Sequence, residues 1–487
     1  MNEPITENKE LNIWEALIPV VALVGMLGYN VFVFGDEALS GSNQFILLLG
    51  GGVAAIIGFF NKVTFARMLE EVSENIKSSA GAILILLMVG ALAGTWLVSG
   101  IIPAMIYYGL QILSPSVFLP ASLIICSIIS IATGSSWTTS ATVGIALIGI
   151  GGTLGFPLGM VAGAVVSGAY FGDKLSPMSD TTNLAPAMAG TDLFTHIRYM
   201  MYTTVPTYIL TLIIFIFLGL TVETSGVADS SILLKNIQES FNITPLLFLV
   251  PAIVIGLIAK KTEPLVALLL GTLLAAIFAI IFQPHIVLML SGGTTMTIEN
   301  AYKGVLNAIT IESVIPTEVE TLKDLFKSGG MEKMLNTVWL ILCAMVFGGI
   351  MDAIGALSRI SKSLLSMAKS TFGLFAATVG SCLALNITAS DQYLAIVVPG
   401  KMFSKAYADK GLAPENLSRT LEDSGTVSSV LIPWNTCGAY HASTLGVATL
   451  DYLPYAFFNL ISPVMTLIFA AFSIKIKLLK EKKVIID

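Results

Sequence analysis

Charge is what this 487-residue chain has least of: Asp, Glu, Lys and Arg make up 11% of it, where soluble domains carry about 25%. So few charges cannot cover the surface of a soluble protein of this length, which excludes an ordinary soluble enzyme. Histidine is scarcer still, with His196, His285 and His441 alone, and the four cysteines, Cys126, Cys343, Cys382 and Cys437, are scattered through apolar stretches. No CxxC pair or metal-ligand spacing joins them, so they read as small buried hydrophobes. HExxH, a GxSxG in a strand-turn-helix setting and a phosphate-cradling glycine loop are all missing. Nothing therefore points to an enzyme or to a bound cofactor. A formal net charge of −6 without a clustered basic footprint argues against nucleic acid as a partner. The N-terminal mixture of Glu3, Glu7, Lys9, Glu10 and Glu15 lacks the basic region and small-residue cleavage site of a signal peptide. The first apolar run is expected to be a retained span.

Hydrophobic residues are abundant instead, at 55%, with a mean hydropathy of +0.86. Between Lys77 and Asp173 no Asp, Glu, Lys, Arg or His occurs. Only a polytopic membrane protein, with lipid as its partner, makes sense of such a run. A bilayer core takes about 20 helical residues, which predicts spans at 13–34, 44–60, 81–100, 157–183 and 198–221. A second series is predicted at 244–258, 264–282, 335–357, 425–449 and 452–474. Segments 117–152 and 371–403 are each long enough to enter and return, and each is interrupted midway by polar residues. Both read as re-entrant hairpins.

The positive-inside rule orients this layout. Lys475, Lys477, Lys480, Lys482 and Lys483 put the C-terminus in the cytoplasm. Counting back assigns Lys401, Lys405, Lys410, Arg419, Arg359, Lys362, Lys369, Lys260, Lys261, Lys62 and Arg67 to the same side. Loops carrying Asp36, Glu37, Glu223, Asp229 and Glu239, and the loop 291–333 with Glu312, Glu318 and Glu320, fall outside. Both termini are then cytoplasmic. The two series share one order of elements, and an odd number of crossings per half inverts the second, as in many secondary transporters. The expected fold is an all-α polytopic membrane protein of two inverted repeats, each of about five transmembrane helices with a re-entrant hairpin and a discontinuous helix. The first repeat is 1–225 (hairpin 117–152, broken helix 157–186). The second is 226–487 (external loop 291–333, hairpin 371–403, broken helix 424–449).

Four polar interruptions carry the chemistry: 133–142, 172–183, 386–392 and 422–436. Broken helices free backbone carbonyls and amides, tolerated at membrane depth only where buried in protein or lining a watery cavity. Together with Ser, Thr, Asn and Asp side chains they offer the oxygen ligands that a small hard cation prefers. A carboxylate among them can hold either a proton or a cation, the simplest chemistry for antiport.

At this point the residues 134–144, Gly-Ser-Ser-Trp-Thr-Thr-Ser-Ala-Thr-Val-Gly, and 172–184, Gly-Asp-Lys-Leu-Ser-Pro-Met-Ser-Asp-Thr-Thr-Asn-Leu, resemble the signature of the NhaC-type sodium/proton antiporters. The span layout resembles that family over nearly the whole chain. The resemblance implies a multi-pass carrier of a prokaryotic inner membrane that exchanges sodium for protons. It also admits organic acids such as malate and lactate as cargo, since some relatives couple ions to them. A homodimer fits a carrier needing a fixed scaffold, although no motif specifies one.

Asp173, Lys174, Asp180, Asp391 and Asp423 are the candidates for ion and proton coupling. Candidate sodium ligands are Ser136, Thr138, Thr139, Thr182, Asn183, Asn386, Thr388, Ser390, Asn435 and Thr436, and Trp137 and Trp434, at matching tips, are candidate gates. Each has a structural rival. Asp173 and Lys174 could mark a span end, Asp180 and Asp391 could be helix caps, and Glu422 and Asp423 could form a solvated cluster with Arg419. Any one hydroxyl can bond the carbonyl four residues back. Trp137 and Trp434 could simply pack. His441 could shuttle protons or only pack, and Asp352, His196 and His285 read as interfacial. An ion channel with polar tips as filter is a further alternative; paired titratable repeats favour a carrier.

Overall fold

A computed structural model describes residues 11–34, 41–222, 230–323 and 325–479. The expectations placed on Glu3, Glu7, Lys9, Glu10, Asp36, Glu37, Glu223, Asp229, Lys480, Lys482 and Lys483 lie outside these residues. Among the described residues, eight helices are long and apolar enough to cross a membrane, or up to ten if each bent pair counts as one span. Large apolar side chains cover the outside, among them Phe60 at 83%, Phe217 at 64% and Ile281 at 62% exposure. Such a surface is costly in water and suited to hydrocarbon. The chain is a multi-pass membrane protein.

Several elements differ from the predicted spans for local physical reasons. The segment predicted at 81–100 belongs to a 34-residue helix, Phe65–Val98. Thr64 caps it by accepting the amide of Arg67, and Arg67 pairs with Glu70 and Glu71, and Lys77 with Glu74. Pairs three and four residues apart support a solvated helix, so the charged stretch extends the span. The segment predicted at 335–357 is instead Gly330–Ala353, ended by Gly355 at φ 77° before a separate amphipathic helix, Ala356–Ser366. In the loop 291–333 a helix, Ile298–Thr310, is joined by a two-stranded antiparallel sheet that pairs Ser313 with Ser328 and Val314 with Lys327. Strands of two residues have no readable period, which is why an all-α expectation missed them.

Helix Gly330–Ala353 packs against Phe65–Val98 and Ser42–Phe60, while Pro115–Thr133 packs along Leu158–Leu175. The latter contact is close because Gly168 and Gly172 face it. A Cβ on Gly168 would stand 2.3 Å from the Leu123 carbonyl oxygen, and one on Gly172 2.5 Å from that of Ser127. Four-residue spacing of small residues allows such backbone approach. The approach fixes the helix whose last turn carries Asp173 and Lys174.

Candidate functional site

Four helix starts meet where the polar interruptions fall. Ser135 accepts the amide of Thr138, and Ser179 that of Thr182. Asp391 Oδ1 accepts the amide of Leu394 at 3.0 Å, and Asn435 Oδ1 that of Cys437 at 3.0 Å. Each cap satisfies donors that a helix start leaves orphaned, so breaks become tolerable at depth. Gly134, at φ 69°, ends Pro115–Thr133 in the left-handed region, and a Cβ there would stand 2.7 Å from Met178 Cβ. That contact seats the first tip on the break 176–179 of the first discontinuous helix.

The tips enclose a cavity of about 520 Å³ lined by Asp173, Asp180 and Asp391 together with Ser135, Ser136, Ser179, Thr181, Gln392 and Thr436. Its lining extends to Lys261 and Glu263, in the link between the helices Leu249–Ala259 and Pro264–Phe282. Asp173 is buried, at 7% exposure, and its Oδ2 accepts the Ser136 hydroxyl at 2.7 Å and the Ser136 amide at 3.2 Å. Asp391 is also buried, whereas Asp180 is exposed and its Oδ2 accepts the Tyr393 hydroxyl at 3.5 Å. The three carboxyls line one space without converging into a metal cluster among the described residues. Carboxylate, hydroxyl and amide oxygens around such a space suit a transient hard cation.

Of the predicted site residues, Asp173, Asp180, Asp391, Ser136, Thr436 and Trp137 face this cavity. The other hydroxyls and amides brace the tips. Thr138 donates to Ser135 Oγ at 3.1 Å, Thr139 to the Ser135 carbonyl at 2.9 Å, and Thr388 to that of Ala384 at 2.8 Å. Thr182 donates to the Lys174 carbonyl at 3.2 Å, and Asn183 to that of Ser179 at 2.7 Å. Asn386 donates to the Gly425 carbonyl at 2.7 Å and to Ser428, and Asn435 donates to the Asn386 carbonyl at 3.1 Å. Ser390 takes a left-handed φ of 58°, its carbonyl receiving the Thr436 amide at 3.0 Å. Trp137 stacks on Tyr440 with ring centroids 3.9 Å apart. Trp434 stands off the cavity, its Nε1 donating to the Ile387 carbonyl at 2.8 Å.

Lys174 and Asp423 form a second polar centre, away from the cavity lining and fully buried, in which they are ion-paired. Lys174 Nζ also donates to Ser462 Oγ at 3.1 Å, and Asp423 Oδ2 accepts from Thr203 at 2.7 Å and from Thr466. The helix Pro414–Leu421 runs into a π-helical turn, Glu422–Thr426, that carries Glu422 and Asp423. A solvated cluster here is thereby corrected: Arg419, Glu422 and Asp423 are all at 0% exposure. Arg419 lies 4.7 Å from the Tyr199 ring centroid, a desolvated cation on an aromatic face. His196 is likewise buried rather than interfacial, with Nδ1 2.8 Å from Ser418 Oγ. His441 is buried in packing, with Nδ1 2.9 Å from the Cys437 carbonyl. Sequence reasoning did not foresee Thr203, Ser462 and Thr466, which sit in otherwise apolar spans with no local signal.

With this geometry in place, comparison with known proteins identifies the class. The model of the Na+/H+ antiporter family matches residues 168–474. Over 86% of this chain and 87% of its own length, the Na+/H+ antiporter NhaC of Alkalihalophilus pseudofirmus is 38% identical. NhaC of Bacillus subtilis is 36% identical over 81% of this chain and 84% of its own. A malate-2H+/Na+-lactate antiporter of Bacillus subtilis is 35% identical over 88% of each. The chain belongs to the Na+/H+ antiporter family.

Proposed function

We propose that this chain exchanges sodium ions for protons across a prokaryotic cytoplasmic membrane, binding them in turn at the Asp173 cavity. The observation that carries this reading is the cavity itself, where carboxyls from both halves of the chain meet hydroxyl and amide oxygens at four helix breaks. Sodium requires the carboxylate, and protonation removes it, so the two cargoes exclude one another. Access alternates between the two sides as the two inverted repeats, 1–225 and 226–487, with hairpins 117–152 and 371–403, rock about the site.

A second reading, sodium- and proton-coupled exchange of small organic acids, draws on the malate/lactate relative and on one feature of the cavity. Helix N-termini favour anions, and four of them open around a space able to hold a small carboxylic acid. Proteoliposomes with an imposed pH gradient, offered sodium, lithium, potassium, malate and lactate side by side, separate the two. Sodium flux without added acid supports antiport of ions alone. Flux that appears only with malate or lactate overturns it in favour of the second reading.

A further inference from the structure

Glu422 is the one carboxyl of the buried centre whose position the ion pair does not explain. Its side chain is at 0% exposure, and neither carboxyl oxygen has a hydrogen-bond partner. Its neighbour Asp423 takes all the nearby donors: Lys174 on one oxygen, Thr203 and Thr466 on the other. Lys174 spends its remaining contacts on Ser462 and on the Phe458 ring, whose centroid lies 5.6 Å away. Two carboxyls thus share one cation. An unpaired carboxylate sealed from water is expensive, so one of the two carboxyls holds a proton. Asp423, bonded at both oxygens, holds the negative charge, which leaves the proton on Glu422.

The surroundings of Glu422 connect it to the cavity. Lys174 and Asp173 are successive residues of Leu158–Leu175, one in the buried centre and the other at the cavity. Thr181 lines the cavity, and its helix, Asp180–Ala189, packs against the turn that presents Glu422. The turn that presents Glu422 is π-helical, an irregularity frequent at functional sites. Among the described residues no other charged group is hydrogen-bonded to the Glu422 oxygens. The discontinuous-helix segment Asp180–Ala189 brings Asp180, exposed at the cavity, and Pro414–Leu421 brings Arg419, stacked on Tyr199. Helix Thr371–Thr388 presents the Cys382 thiol, Phe457–Ala471 has no ionisable side chain, and the charges of Leu394–Asp409, Lys401, Lys405 and Asp409, are exposed.

We propose that Glu422 carries the exchanged proton while Asp173 is the sodium ligand, so that the two cargoes occupy adjacent groups rather than one carboxylate. This rests on the antiport reading and divides its site in two. Sodium enters the cavity and binds the Asp173 carboxylate. Its charge stabilises the anion left when the Glu422 O–H bond breaks, with the electron pair remaining on the Glu422 oxygen. The proton leaves past the Thr181 hydroxyl to cavity solvent. One positive charge arrives and one departs.

The test is proton release on sodium addition to the purified protein in weakly buffered detergent, read with a pH-indicator dye, alongside sodium binding at several pH values. The wild type is expected to release about one proton per sodium bound, its affinity falling about tenfold per pH unit in the acid range. Glu422→Gln is expected to bind sodium near neutral pH with no proton released and with a pH dependence confined to the protonation of Asp173, Glu422→Asp to restore release, and Asp173→Asn to bind no sodium. Thr181→Val, which keeps the side-chain shape, is expected to slow release without changing its amount, so a poorly folding Glu422→Gln does not end the test. Release by Glu422→Gln with the wild-type pH dependence, or wild-type release kinetics in Thr181→Val, overturns the inference and leaves antiport standing. A wild type that binds sodium and releases no proton overturns the antiport reading itself.

Discussion

Asp173 and Lys174 are adjacent in sequence and face different surroundings. Successive helical residues point about 100° apart, so Asp173 lines the open cavity while Lys174 turns into a sealed core against Asp423. Around Asp173 the polar groups are hydroxyls, amides and single carboxyls in a space reached by solvent. Around the Lys174–Asp423 pair every partner, Ser462 on Lys174 and Thr203 and Thr466 on Asp423, is fully buried. An open site can trade ligands cheaply, because water replaces what leaves. A dry one cannot, because each lost partner strands a charge. The first suits cargo, and the second holds the two discontinuous helices and the Leu193–Thr221 and Phe457–Ala471 helices together.

This contrast can be broken at its strongest point by Lys174→Met, which strands Asp423. Breaking a buried pair costs about 3–5 kcal/mol, and thermal unfolding in detergent should show a large fall that Lys174→Met with Asp423→Leu partly restores. Asp173→Asn should do the opposite, leaving the unfolding temperature near that of the wild type while sodium-driven proton movement in everted vesicles falls more than about tenfold, since a ligand charge is lost and packing is kept. Gly134→Ala tests whether the tip must seat on the break. The left-handed backbone alone costs about 1–2 kcal/mol, and the Met178 contact adds to it, so both stability and transport should decline. Trp434→Phe removes the bond to the Ile387 carbonyl, and the expected loss is about 1 kcal/mol in the same unfolding assay. Arg67→Ala, which disrupts an exposed pair, should change stability by no more than about 1 kcal/mol.

Much of this was readable in the sequence, because membranes impose strong rules. Long apolar runs predict spans such as Ile13–Phe34 and Pro264–Phe282, and the polar breaks fall where the cavity forms. What local pattern cannot show is which distant helix faces which. Thr203, Ser462 and Thr466 looked like ordinary hydroxyls in apolar helices, yet each is within hydrogen-bonding reach of the Lys174–Asp423 pair. Arg419, Glu422 and Asp423 looked like a solvated cluster because three charges lie within five residues; a neighbouring helix, Leu193–Thr221, covers them with Tyr199 and Thr203. His196, flanked by Asp192 and Arg198, looked interfacial for the same reason. Charge density in sequence marks an interface only when no tertiary partner absorbs it.

The most direct test of sodium exchange at the Asp173 cavity is sodium-22 uptake into proteoliposomes driven by an imposed pH gradient, with wild type and Asp173→Asn reconstituted at equal amounts and equal unfolding temperature. The expected result is gradient-driven sodium accumulation by the wild type and none above empty liposomes by Asp173→Asn. Equal accumulation by both proteins would contradict it.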